Sequence, residues 1–129
     1  MGEPLNKLRI ILAALSGVAA VSSAHAGEVT FQNDLRACAA ITAVKISTQS
    51  NLVLANTDIK LSKTIADCRC LSALASYTSS VEVGGVRQIL QSGLIGLDIG
   101  GARTFVLASD PALVANRKVQ VTLSCAGPL

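Results

Sequence analysis

The sequence predicts an all-β fold, a small antiparallel β-sandwich of immunoglobulin-like architecture stabilised by disulfides. Three observations lead there. Short apolar runs alternate with polar residues at a period of two. Turn-forming clusters separate these runs at intervals of roughly 8–12 residues. Four cysteines follow a segment that reads as an export leader. No helix long enough for a crossover intervenes, which disfavours a parallel sheet.

Taken in order, residues 1–26 have the three-part layout of a signal peptide. A short start carries Lys7 and Arg9, with Glu3 as a departure from an ideal basic segment. Ile10 to Val21 is apolar apart from Ser16 and Gly17, and Ala24-His25-Ala26 places small residues where a signal peptidase reads them. Cleavage is expected between Ala26 and Gly27. A spanning helix needs about 20 apolar residues, so no membrane span is expected after cleavage. No cysteine stands directly after the small residues, where Gly27 does, so a lipid anchor is not expected either. Residues 27–129 then form a single β-sandwich domain.

Within that domain, Ala43–Thr48 alternates, with Val44 and Ile46 on one face and Lys45 and Ser47 on the other. Leu52–Leu54 follows a Gln49-Ser50-Asn51 turn, and Ile59–Lys63 alternates again after a second polar break at Asn56-Thr57-Asp58. Val81–Val83 meets Gly84-Gly85, a hairpin signal because both turn residues must take positive φ. The same pair recurs at Gly100-Gly101, predicting a second hairpin between Leu97–Ile99 and Thr104–Leu107. Val119–Cys125 alternates for seven residues and is the clearest strand.

Three stretches leave alternatives. Asp34–Ala43 is alanine-rich and could start a short helix capped by Asn33 or Asp34. Asp110-Pro111 reads as a one-turn helix start. Between Ala66 and Tyr77 the pattern changes phase, and either a strand bulged near Arg69–Leu71 or a short helix accounts for it.

The cysteines are Cys38, Cys68, Cys70 and Cys125. Behind a leader, an even count argues for disulfides. On a strand the Cα atoms of Cys68 and Cys70 would lie about 6.7 Å apart with parallel side chains, at the edge of what a bridge can span. Each is therefore expected to reach a different partner. Cys38–Cys68 with Cys70–Cys125 is preferred, and the swapped pairing stands close behind. Two functional readings compete: Cys68-Arg69-Cys70 as a redox dithiol with Arg69 lowering a thiol pKa, or as a soft-metal ligand pair.

Loss of the leader removes the only histidine, His25, and the only methionine, Met1. That takes away the usual companion ligands for copper and every histidine-dependent nucleophile system. A four-cysteine zinc site usually needs two close cysteine pairs, and the chain has one. No metal or other cofactor is expected. Without Lys7, Arg9 and Glu3 the domain keeps nine basic and seven acidic residues, a near balance that gives no footprint for nucleic acid. The acids Glu28, Asp34, Asp58, Asp67, Glu82, Asp98 and Asp110 are scattered singly. The glycine pairs do not match a nucleotide fingerprint. Phe31, Tyr77 and Phe105 are the only aromatics, too few for a stacking platform and best read as core. Arg117-Lys118 is an ordinary charged loop tip. No enzyme is expected.

One resemblance spans nearly the whole domain. Cys38, then Ile65-Ala66-Asp67-Cys68-Arg69-Cys70-Leu71-Ser72-Ala73-Leu74 with Tyr77, then Leu107-Ala108 with Asp110, Ala112 and Leu113, then Val121, Leu123, Cys125 and Ala126 resemble an uncharacterised family of small exported Gram-negative bacterial proteins. The resemblance implies the location and the fold and assigns no functional residue. Arg69 stands where glycine is expected in that family, which argues against a tight turn there.

The expected function is a periplasmic or secreted structural or binding module whose loops or edge strand meet a periplasmic or cell-surface protein. The alternatives are a pilus or adhesin subunit completed by a neighbour's strand, and a thiol-redox protein or metallochaperone using Cys68 and Cys70.

Overall fold

The computed structural model describes residues 26–127. The leader assigned to residues 1–26 lies outside them apart from Ala26. Seven strands run in chain order: β1 Val29–Asn33, β2 Ala39–Gln49, β3 Leu52–Leu61, β4 Leu74–Val83, β5 Val86–Gly96, β6 Gly101–Ala108 and β7 Val119–Cys125. They form two sheets, of order β1-β7-β4-β5 and β2-β3-β6, so the all-β two-sheet fold read from the sequence is the one adopted. Pairing is antiparallel except between β1 and β7, which run parallel from Val29↔Val119 to Asn33↔Leu123.

The alternation of β7 explains its central place. Val119, Val121 and Leu123 all point inward and are fully buried, while Gln120, Thr122 and Ser124 face out. The three aromatics meet in the core from three strands. Tyr77 on β4 stands edge-on to Phe105 on β6 at 5.1 Å between centroids, and Phe31 on β1 approaches the same ring at 5.4 Å. Such edge contacts add about 0.5–1.5 kcal/mol each beyond area burial, and here they span both sheets.

Two predicted turns form as read. Ser50 and Asn51 take φ of 48° and 71° between β2 and β3, and Gly84 and Gly85 take 59° and 80° between β4 and β5, the positive-φ pair a two-residue hairpin requires. Asp110 caps the Pro111–Leu113 turn, its carboxylate oxygen accepting from the Ala112 amide at 2.8 Å. Asn33 caps the turn after β1 by accepting from the Leu35 amide at 2.9 Å, but no helix follows and β2 begins at Ala39.

Three expectations are corrected and one open reading is decided. Gly100-Gly101 is not a hairpin turn: β6 joins β3 in the other sheet, and the pair lets the chain pass close over β3, where a Cβ on Gly100 would sit 2.7 Å from the Ile59 carbonyl oxygen. Leu97–Ile99 is therefore crossover, not strand. Asn56-Thr57-Asp58 does not break β3, because each polar side chain or backbone finds a lateral partner. Thr57 donates to the Arg103 carbonyl at 2.8 Å, and Asn56 joins Ser47 and Thr104 across the outer face. Of the two readings left open between Ala66 and Tyr77, the short helix forms: Cys68 ends a 3₁₀ helix and Cys70 lies in the turn after it.

Candidate functional site

The cysteine loop is built from short-range backbone bonds. In the 3₁₀ segment Ile65–Cys68, the amides of Asp67, Arg69 and Cys70 donate to Thr64, Ala66 and Ile65 carbonyls at 3.0–3.1 Å, and buried Ile65 anchors the turn in the core. Arg69 then takes left-handed backbone with φ of 74°. The tight turn that an arginine argued against does form. It reverses the chain between the two cysteines, which explains why they diverge.

Cys68 bridges to Cys38 with Cα atoms 6.3 Å apart, and Cys70 to Cys125 at 5.1 Å. This is the preferred of the two open pairings, and it uses all four cysteines. Cys38 is presented by the turn after β1, whose Asn33 amide group also donates to the Ala39 carbonyl at 2.7 Å. Ser62 fixes the same point from β3's end, its amide donating to the Cys38 carbonyl at 2.8 Å. Three separate chain segments are thus bound together at one pole of the sandwich.

A groove of about 540 Å³ opens beside this knot, lined by Leu71, Ser72, Leu74, Ser76, Leu94, Ala126 and Gly127. Its lining carries no charged side chain. Leu71 is 82% exposed and Leu94 56%, large apolar groups in water whose only polar neighbours in the lining are two serine hydroxyls. A smaller hollow of about 200 Å³ lies across Ser72, between Ile65 and Leu97, with Asp98 at its rim. The groove abuts β5, which is an edge strand and exposes Val86 and Ile89 further along.

The other edges are blunted. β1 is only five residues long. β2 carries a bulge between Thr42 and Lys45, with Ala43 at φ 55°. β6 is capped by Tyr77, whose hydroxyl bonds both to the amide and to the carbonyl of Val106. Bulges, shortness and covering groups are the usual protections of a sheet edge. On β5 a register shift occurs between Ser79 and Ser80, opposite Gln91 and Ile89, and Gln91–Gly96 pairs regularly beyond it.

Among the described residues no group of three or more His, Cys, Asp or Glu side chains is placed to hold a metal ion. Arg117 lies at the opposite end of β7, its carbonyl accepting from the Gly27 amide. The groove leucines were not singled out in the sequence. The legible signal was the adjacent pair Leu94-Ile95 on a strand, where successive side chains take opposite faces, so one of them had to face out.

A family model matches residues 10–128 of the 129. The chain belongs to the family described as an uncharacterised protein conserved in bacteria (DUF2195). No curated protein and no solved structure is found to match it. Among the described residues of this DUF2195 chain no helix is long and apolar enough to cross a membrane.

Proposed function

We propose that this DUF2195 protein is an exported, non-catalytic binding module of the bacterial periplasm or exterior. Its partner is another protein, which lays an extended segment along the free edge of β5 and fills the adjacent groove with apolar side chains, in the manner of strand addition. One observation carries the reading: the uncharged leucine groove sits against the edge strand β5, and a disulfide holds both loop walls. The Gln91–Gly96 stretch of β5 pairs regularly with β4 and is covered by Arg103 at the Gly96 carbonyl. Export is supported by the leader pattern of residues 1–26 and by two disulfides, which persist in oxidising compartments.

The two alternatives fit less well. A pilus subunit leaves a strand position vacant beside its last strand, whereas here β1 and β4 flank β7. A dithiol oxidoreductase closes and opens a bond between neighbouring cysteines, whereas Cys68 and Cys70 each hold a distant partner.

A photo-crosslinking residue at position 94 or 89, followed by mass spectrometry of the periplasm, tests the proposal. One dominant protein adduct at 94, lost when Leu71→Glu is added, is the expected result. Adducts equally frequent at exposed Lys60 on the other sheet would overturn it.

A further inference from the structure

We infer that the Cys70–Cys125 bridge is a redox-operated clamp on the groove. The groove's two loop walls are Leu71-Ser72 and Ala126-Gly127, and each wall is the dipeptide that directly follows one bridged cysteine. The bond, with Cα atoms 5.1 Å apart, therefore ties the walls together at their roots. The floor, Leu74, Ser76 and Leu94, belongs to the paired strands β4 and β5 and needs no such tie. Without the bond the Leu71 wall is held at its ends by the Cys70 amide, which donates to the Ile65 carbonyl at 3.1 Å, and by the Ala73 carbonyl, which accepts from the Leu97 amide at 2.8 Å. Between them the Ser72 hydroxyl accepts from the Leu74 amide at 3.2 Å. On the other side the Ala126 amide donates to the Leu74 carbonyl at 3.1 Å.

The two bridges differ in what their opening releases. Cys38 is fully buried beneath the turn after β1, and its carbonyl is held by Ser62 from β3. Cys125 ends β7, and in burial the two bridges are alike, Cys38 and Cys70 buried, Cys68 and Cys125 half-buried. Strand β7 stays in place without its bridge, because it is paired to β1 and β4 along its length. Ile65 and the Cys38–Cys68 bond keep the start of the cysteine loop. Opening Cys70–Cys125 thus frees one groove wall and little else.

The reductant is an exported dithiol protein. Its thiolate attacks the Cys125 sulfur, the S–S bond breaks, and Cys70 leaves as a thiolate that takes up a proton. The reductant's second thiol then displaces Cys125 from the mixed disulfide. Two electrons and two protons pass to the bridge, and the dithiol becomes a disulfide. The clamp rests on the groove being the working surface, as proposed above.

The test needs no protein partner. Anilinonaphthalene sulfonate is titrated into the oxidised protein, into protein reduced stepwise with trapping of freed thiols, and into the Cys70→Ser/Cys125→Ser variant, with Leu94→Glu locating the dye. Cys70 and Cys125 should be trapped before Cys38 and Cys68, and dye affinity should fall at least fivefold and return on reoxidation. Amide exchange should quicken at least tenfold at residues 70–74 and 126–127 while β3 and β6 are unchanged. Equal affinity and exchange in the two states, earlier trapping of Cys38 and Cys68, or loss of strand circular dichroism on opening this one bond would each overturn the inference. Failure to capture a partner at position 94 would sink the functional reading alone.

Discussion

The Tyr77 hydroxyl donates to the Val106 carbonyl at 3.2 Å and accepts from the Val106 amide at 3.0 Å, so a single phenol stands in for the strand that β6 lacks on its outer side. The ring that carries this hydroxyl lies over Gly93, directly opposite on β5, where a Cβ would meet the ring at 2.9 Å. Glycine on one strand and tyrosine on its neighbour are therefore one device: the missing side chain makes room for the ring, and the ring delivers the hydroxyl across the sandwich.

Tyr77→Phe keeps the ring and removes both hydrogen bonds. Net values near 1 kcal/mol per bond give an expected loss of about 1–2 kcal/mol in urea denaturation. The uncovered edge of β6 should also raise self-association, which sedimentation velocity at increasing concentration would detect. Unchanged stability and a monomer at all concentrations would contradict the edge-capping account.

Ser79 performs a related task deeper inside. The register between β3 and β6 steps from Val53↔Ala108 to Leu54↔Val106, which skips Leu107. The fully buried Ser79 hydroxyl supplies a donor to the Leu107 carbonyl at 2.8 Å. Ser79→Ala leaves a buried acceptor without a partner, and a loss of about 1–3 kcal/mol is expected. Thermal and urea unfolding measure it, and a cost below the error of either method would mean that water reaches the carbonyl.

These side-chain devices mark the limit of what the sequence made legible. Alternation identified β7 and the Gly84-Gly85 hairpin because both signals are local. β1 went unread, since five residues of mixed polarity gain their meaning only from β7, some ninety positions away. The break assigned at Asn56–Asp58 failed for a comparable reason. Asparagine, threonine and aspartate favour turns by bonding their own backbone, but here Arg103, Ser47 and Thr104 from other strands supply the partners instead. At the candidate site elimination narrowed the cysteines to two pairings, of which the preferred one forms, while the groove was not legible, because it depends on which leucines β4 and β5 turn outward.

Arg69 carries a cost that glycine would avoid. Left-handed backbone disfavours a side chain by roughly 1–2 kcal/mol, partly offset by the larger unfolded-state entropy of glycine. Arg69→Gly is expected to stabilise the oxidised protein by about 0.5 kcal/mol, and Arg69→Val to destabilise it by more than that. Urea titrations of the three proteins side by side give the order, and Gly less stable than Arg would show that the guanidinium contributes something else at this turn.

The bridges close loops with sequence separations of 30 and 55. The chain-entropy relation assigns them about 4 kcal/mol each, against a typical total of about 5–15 kcal/mol. Either double substitution, Cys38→Ala/Cys68→Ala or Cys70→Ala/Cys125→Ala, should lower the urea midpoint yet leave a folded domain. Full reduction should bring the protein to the edge of unfolding at ordinary temperature. A reduced protein with an unshifted midpoint would show that the two-sheet core suffices alone.

The parallel pairing of β1 with β7 imposes an order of events on the polypeptide. Val29–Asn33 has one neighbouring strand, and that neighbour lies some ninety positions further along the chain. However early the first strand is synthesised, it must wait unpaired until Val119–Cys125 follows. Completion of this sheet is therefore postponed until β7 is in place, and the same event brings Cys125 to Cys70.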